Sequence, residues 1–235
     1  MNRRAFLTQV PALAALTALT PPPAKAAPRA KTPGELEMER RENDRYGAPG
    51  SEQRRRTQAG LALLLPCWRE VEDAAHAALK AHECGPRCRR EGAGLTRECV
   101  WEEDVEGLRF LAANFNSMLE GEAYPDVERA VRLERVRRAR AFRRGAHHGC
   151  PVLWTWRALR RAREAVEAVI DAEPSWDGWL ARMAGPQLWA VDFMQAVMRD
   201  RMHLHMSPAA HDAHAADVKA EYAAARAAEA EGDDE

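Results

Sequence analysis

Residues 101–120 read WEEDVEGLRFLAANFNSMLE, and this stretch carries the clearest structural signal in the chain. Its apolar side chains recur at intervals of three and four residues, at Trp101, Val105, Leu108, Ala112, Phe115 and Leu119. That spacing places them on one face of an α-helix. The sequence therefore predicts a helix that packs one face against a core and ends near Gly121.

A second stripe precedes it, between about Ala59 and His82. Its members also follow helical spacing: Leu61, Leu65, Trp68, Val71, Ala75 and Leu79. Pro66 lies inside the stripe, and proline in a helix loses a backbone hydrogen bond. We expect either a kink at Pro66 or a helix whose well-formed part begins there. Ser51 is a candidate N-cap for this segment.

Three more helices are predicted further along the chain. Residues 125–144 favour helix by propensity but have a thin apolar face, whereas Val152 to Ile170 form a clear amphipathic pattern. Gly185-Pro186 is expected to interrupt the chain before a helix from Gln187 to Met206. That last helix is apolar over most of its circumference, including Trp189 and Phe193, which predicts a buried central position.

The fold class that follows is all-α, a bundle of about five packed helices. Composition agrees, because Ala, Arg, Glu and Leu dominate while glycine and β-branched residues are sparse. We divide the chain into residues 1–26, a signal peptide; 27–50, a flexible leader with a short charged helix; 51–206, the helical bundle; and 207–235, an Ala-rich acidic tail, helical and then disordered.

The first 26 residues have the layout of a removable targeting peptide. A charged start is followed by a short apolar run, three prolines, and the small residues Ala24 and Ala26 at a candidate cleavage site. Arg3, Arg4, Phe6 and Leu7 resemble the twin-arginine export signal of bacteria. The resemblance implies folding before export by the twin-arginine translocase and a location in the periplasm. An ordinary secretory signal or no export remains the alternative.

Charge and hydropathy exclude two classes of function. The formal net charge is −1, and removal of Arg3, Arg4 and Lys25 with the signal leaves −1 − 3 = −4. No basic excess therefore favours nucleic acid as a partner. No stretch of the mature chain is long and apolar enough to cross a bilayer.

The cysteines allow two interpretations. Cys84, Cys88, Cys99 and Cys150 are candidates for one or two disulfides, which an oxidising periplasm permits. Alternatively, His82 with Cys84, Cys88 and Cys99 supplies the imidazole and thiolate ligands that suit zinc or copper. Five cysteines are an odd number, so at least one remains outside any intrachain disulfide.

A second candidate metal site lies on the last helix of the bundle. Met194, Met198, Met202 and Met206 recur every four residues, and His205 lies beside them. Thioether and imidazole ligands can hold Cu(I). The simpler interpretation is packing, because methionine fills irregular helical cores well. Apart from copper or zinc in these alternatives, no cofactor is predicted.

Arginine is concentrated between residues 129 and 144, and the segment is either a solvated helix face or a site for an anionic partner. The candidate residues for anion binding are Arg132, Arg135, Arg137, Arg138, Arg140 and Arg143. His147 and His148 follow and are expected to be loop residues rather than a site. We find no catalytic motif, so the favoured function is a non-enzymatic binding or interaction protein.

One further resemblance concerns residues 96–150. Cys99, Phe115-Asn116, Ala141-Phe142-Arg143 and Cys150 follow an order of features similar to the small periplasmic lysozyme-inhibitor-like family. That family has a tyrosine where this chain has Leu119, and its second cysteine follows the aromatic element more closely. The resemblance implies a periplasmic inhibitor as another alternative function.

Overall fold

The computed structural model of the chain describes residues 29–82, 100–121, 125–172 and 179–232. These residues form α-helices and one 3₁₀ helix, with no strand among them. The helices are α1 (Pro33–Tyr46), α2 (Glu52–Ala81), α3 (Val100–Glu120), α4 (Pro125–Arg143), α5 (Pro151–Asp171), α6 (Trp179–Met202) and α7 (Pro208–Gly232), with the 3₁₀ helix Ala146–Gly149 before α5. The predicted all-α class is confirmed.

The chain divides into two compact units, Met1–Arg41 and Glu42–Glu235. In the described part of the first unit, the start of α1 is a capping box. The Thr32 hydroxyl accepts a hydrogen bond from the Glu35 backbone N–H, while the Glu35 carboxylate accepts one from the Thr32 N–H. Pro33 occupies the first helical position, where its missing N–H costs nothing.

The second unit is a bundle with α2 at its centre. Helix α2 packs most extensively against α5 and α3 and also against α4, while α6 packs against α5 and α3. Both predicted stripes face this core, since the stripe residues of α3 from Trp101 to Leu119 and those of α2 from Leu61 to Ala75 are buried. Ser51 caps α2, its hydroxyl accepting from the Arg54 backbone N–H at 3.2 Å.

Two prolines lie inside continuous helices, which excludes a helix start at Pro66 and corrects the interruption expected at Gly185-Pro186. Helix α2 continues from Glu52 to Ala81 through Pro66, and α6 continues from Trp179 to Met202 through Pro186. Each proline removes the hydrogen bond to the carbonyl four residues earlier, on Ala62 and Arg182. Both of those residues are exposed, so water can take the place of the lost donor.

The predicted burial of α6 is also wrong on one side. Val191, Met194 and Met198 lie in the core, whereas Trp189 is 70% exposed and Phe193 is 53% exposed. Their rings stack on each other, with centroids 5.6 Å apart. Neighbouring helices cover one face of α6, and the second apolar face remains on the surface of the described part of the bundle.

No described helix combines the length and the apolar character that a bilayer-crossing segment needs.

Candidate functional site

One candidate site is a cavity of about 440 Å³ at one end of the bundle. Four parts of the chain meet there: the end of α2, the start of α3, the turn before α5 and the turn after α6. The walls carry imidazole, indole, thiol and thioether groups. We call it the histidine cavity, lined by Ala78, Ala81, His82, Trp101, His148, Gly149, Cys150, Pro151, Val152, Leu204, His205, Met206 and Ser207.

An aromatic cluster forms one wall of the histidine cavity. The His205 ring stacks on Trp101 with centroids 4.5 Å apart and meets the edge of His82 at 5.1 Å. Burial lowers the pKa of His205 to about 4, and the neighbouring His82 and His203 lower it further in the same direction. His205 is therefore a neutral imidazole near pH 7, with one donor and one acceptor nitrogen.

The opposite wall contains a strained turn. His147 and His148 adopt φ values of 58° and 54°, in the left-handed region, between Gly145 at 90° and Gly149 at 64°. Left-handed backbone costs a side-chain-bearing residue about 1–2 kcal/mol. Strain of this kind persists where the surrounding structure holds it, and it concentrates at functional sites. His148 lines the cavity, although the sequence predicted an ordinary loop here.

Replacing His148 with glycine is expected to raise the free energy of unfolding by about 1 kcal/mol, because glycine adopts positive φ without strain. The matched control is Ala146→Gly in the same 3₁₀ helix. Ala146 is not among the positive-φ residues, so glycine there should lower stability by about 0.5–1 kcal/mol. Urea denaturation measures both variants. A lower free energy of unfolding in His148→Gly than in the wild type would contradict the backbone strain at His148.

His147 lies on the other side of the same turn. Its ring is roughly parallel to that of Trp154, with centroids 6.3 Å apart, and its buried Nδ1 has no hydrogen-bond partner among the described residues. Burial lowers the pKa of His147 to about 4, and the nearby Arg161 and Arg157 reinforce that shift. His147 and His205 are thus both held in the neutral form by the fold.

This gives a pH dependence of stability. The unfolded histidines titrate near 6.5, whereas the folded ones titrate about 4, so between these values the unfolded chain binds more protons. The contribution of these two histidines to the free energy of unfolding should be complete above pH 6.5 and should decrease towards pH 4.5. Since both rings are partly exposed, we expect the unfolded chain to bind between one and two more protons than the folded chain in this range. Urea denaturation at pH 7, 6 and 5 measures this difference as the slope of the free energy of unfolding against pH. His205→Gln should reduce that slope, and equal stability at pH 7 and 5 would contradict the prediction.

The structure shows no disulfide at Cys150. Both cysteines in the described residues, Cys67 and Cys150, are buried free thiols. Cys150 precedes α5 as its N-cap residue and lines the histidine cavity, so packing rather than a covalent bond holds it. Burial raises the pKa of the Cys67 thiol, which makes it an inert core residue.

The candidate metal ligands separate into three groups. Met198 and Met202 are fully buried among apolar side chains, where they act as core residues. His82 and His205 come together in the histidine cavity. Cys84, Cys88 and Cys99 lie outside the described residues. Within the described ranges, no three histidine, cysteine or acidic side chains lie close enough to share a metal ion.

The basic segment contributes to a buried charge cluster that the sequence did not predict. Glu70 on α2 is 4% exposed. It accepts hydrogen bonds from Arg138, from Trp154 at 2.8 Å and from Arg161 at 2.9 and 2.7 Å. Burial alone would raise the pKa of Glu70, but its bonds to Arg161 and Arg138 outweigh burial and hold that pKa below the usual range.

The other arginines proposed for anion binding fall into two groups. Arg135 forms a two-point pair with Asp73, and Arg137 forms one with Glu134. Arg132, Arg140 and Arg143 are exposed and have no ion-pair partner in the part of the chain that the structure describes. Arg138 is committed to Glu70, so we remove it from the set available to a partner.

The remaining predicted residues either lie in or against the core or fall outside the described residues. Of the inhibitor-like elements, Phe115 and Asn116 are buried, and Phe142 stacks on Trp154 at 4.5 Å. The signal residues lie outside the described residues, namely Arg3, Arg4, Phe6, Leu7, Ala24 and Ala26.

Comparison of the chain with protein-family models, with curated proteins and with solved structures gives no match.

Proposed function

We propose that this chain is an exported helical binding protein whose ligand site is the histidine cavity. The observation that carries the proposal is the strained turn, in which two consecutive histidines hold left-handed backbone and the second lines the cavity. A loop free to relax would lower its energy by leaving that conformation. Its retention beside a cavity whose walls combine apolar and aromatic side chains with a few polar groups is typical of a site shaped for a ligand.

The chemistry of the walls defines the class of ligand. The stacked Trp101 and His205 rings offer a flat aromatic surface, and His205 contributes a neutral imidazole to it. Among the residues that the structure describes, no acidic or strongly basic side chain lines the cavity. These features favour a small, uncharged molecule with a planar hydrogen-bonding group.

The proposal can be tested with a set of small heteroaromatic and amide compounds, using saturation-transfer NMR on the purified chain. We expect hits that bind the wild-type protein and lose at least about tenfold in affinity in His205→Ala, the loss of roughly one good hydrogen bond to a buried group. His203→Ala is the control, since His203 is exposed on the same turn. Hits that bind both variants equally would contradict the proposed site.

A second candidate function is binding of a soft or borderline metal ion, copper or zinc. The close approach of His82 and His205 supports it, because neutral imidazole is the form that binds metal. These rings supply two ligands, and a closed zinc site needs about four. Thiolates from Cys84, Cys88 or Cys99, which lie between His82 and Val100 in the sequence, would complete the set.

Titration with Zn²⁺, and with Cu⁺ under reducing conditions, tests the metal candidate. Binding should be lost in His82→Ala/His205→Ala and retained in Met198→Leu/Met202→Leu, because both methionines are fully buried in the core. Unchanged binding in the histidine double variant would exclude the cavity as the metal site.

Export is the remaining part of the proposal, and it rests on the Arg3-Arg4-x-Phe6-Leu7 sequence. Replacement of Arg3 and Arg4 with lysine should retain the chain in the cytoplasm with residues 1–26 still attached. The wild-type chain should reach the periplasm beginning at Ala27. An unprocessed wild-type chain confined to the cytoplasm would contradict export.

A further inference from the structure

A second cavity lies between α5, α6 and α7, away from the histidine cavity. Its volume is about 360 Å³, and its lining includes Trp156, Arg199, His214, Val218 and Tyr222. None of these residues lines the histidine cavity. Apolar surface from Val218 and from the Trp156 and Tyr222 rings is combined with polar groups on neighbouring helices, which is the usual composition of a small-molecule site.

The indole N–H of Trp156 is the first indication of a ligand. Trp156 is 3% exposed, and its Nε1 is fully buried with no hydrogen-bond acceptor among the described residues. The other two buried indoles with hydrogen bonds show the normal arrangement, since Trp68 donates to Gln187 and Trp154 donates to Glu70. A buried donor left without an acceptor is costly, so the Trp156 N–H calls for one from outside the protein.

His214 gives a second, independent indication on the facing helix. Its ring centroid lies 5.2 Å from that of Trp156, and its Nε2 is also buried without a partner in the described residues. In the tautomer that carries a proton on Nε2, His214 presents a second donor beside the Trp156 N–H.

The charges around the cavity select the sign of the ligand. Glu221 is the acidic residue in the lining, and Arg160 neutralises it at 2.5 Å. Arg163 pairs with Glu167, and Arg157 pairs with Asp217. Arg199 lines the cavity and has no ion-pair partner among the described residues. The uncommitted groups are therefore donors and one positive charge, which require an anionic acceptor.

We propose that this cavity binds a small organic carboxylate with an apolar tail. The carboxylate accepts hydrogen bonds from the Trp156 N–H and from the Arg199 guanidinium, and the tail packs against Val218 and the Tyr222 ring. The proposal is independent of the histidine cavity, because the two sites share no lining residue.

The test is titration of the full mature chain with sodium benzoate and sodium hexanoate, followed through the indole N–H signals in ¹H–¹⁵N NMR spectra. Trp156→Phe identifies the Trp156 signal. That signal should shift saturably, while the signal of exposed Trp189 should stay in place. Arg199→Gln should weaken binding by about tenfold, since it removes a charge-assisted hydrogen bond. Arg182→Gln, an exposed arginine on the same helix, should leave it unchanged.

Benzamide serves as the uncharged counterpart of benzoate. Weaker binding of benzamide than of benzoate would support recognition of the carboxylate. The proposal is overturned if the Trp156 signal does not shift at a lower ligand concentration than the Trp189 signal. It is also overturned if benzamide shifts the Trp156 signal as strongly as benzoate, or if Arg199→Gln leaves the affinity unchanged.

Discussion

Replacing Glu70 with alanine is expected to lower the free energy of unfolding by about 3–5 kcal/mol, the largest effect of any single charge among the described residues. Glu70 is buried on α2 and receives hydrogen bonds from Arg138 on α4 and from Arg161 and Trp154 on α5. Its removal leaves the Arg161 guanidinium and the buried Trp154 indole N–H without their acceptor, while Arg138 keeps its bond to Glu134. A loss of this size is a large fraction of the total stability of a typical domain, about 5–15 kcal/mol.

Glu52→Ala is the matched control, because Glu52 lies on the same helix and its pair with Arg55 is exposed. Exposed pairs contribute about 0–1 kcal/mol, so this variant should be close to wild type. Urea denaturation at pH 7 compares the two. If Glu70→Ala lost no more stability than Glu52→Ala, the buried cluster would not join α2 to α4 and α5 as described.

The second large effect is expected at Trp68, which is fully buried at the centre of the bundle. Its ring contacts Phe115 at 4.6 Å between centroids, and its N–H donates to Gln187 at 2.6 Å. Trp68→Ala should lower the free energy of unfolding by about 3–5 kcal/mol through the cavity it creates. Trp68→Phe should cost about 1–3 kcal/mol, because it keeps most of the ring and leaves the Gln187 oxygen unpaired.

Trp189→Ala is the control for the aromatic type, since Trp189 is 70% exposed. Its effect should stay within about 0.5 kcal/mol. Chemical denaturation compares the losses in free energy of unfolding that Trp68→Ala and Trp189→Ala cause. This comparison tests which face of α6 the core covers. A similar loss at Trp68 and Trp189 would show that α6 is covered on both faces, as its sequence suggested.

The fold could be predicted wherever the apolar residues of a helix lay on a single face. The stripe from Trp101 to Leu119 and the stripe from Leu61 to Ala75 both identified the buried faces, because spacing alone specifies them. The path through Pro66 and Pro186 could not be predicted, since it depends on whether the carbonyl four residues earlier is exposed. The exposure of Trp189 depends on which helices pack beside α6, and a single helix does not encode that.

The candidate sites were less predictable for the same reason. His82 and His205 were each identified as metal ligands, but for separate sites, because 122 positions separate them in the sequence and only the packing of α2 beside the turn after α6 brings them together. Glu70 stands beside the charged residues Arg69, Glu72 and Asp73, and no local feature marks it as the one that is buried against Arg161 and Arg138. The left-handed backbone at His147 and His148 had one local signal, the flanking Gly145 and Gly149.

The most direct test of the central claim, that the histidine cavity holds a ligand, is the mass of the chain recovered from the periplasm. The mass is taken under native conditions and again after denaturation, for wild type, His205→Ala and His203→Ala. We predict a wild-type chain beginning at Ala27 with an adduct that denaturation removes, absent from His205→Ala and present in His203→Ala. An organic mass supports the first proposal and a metal mass the second. A bare chain in all three proteins, or the same adduct in all three, would contradict the account.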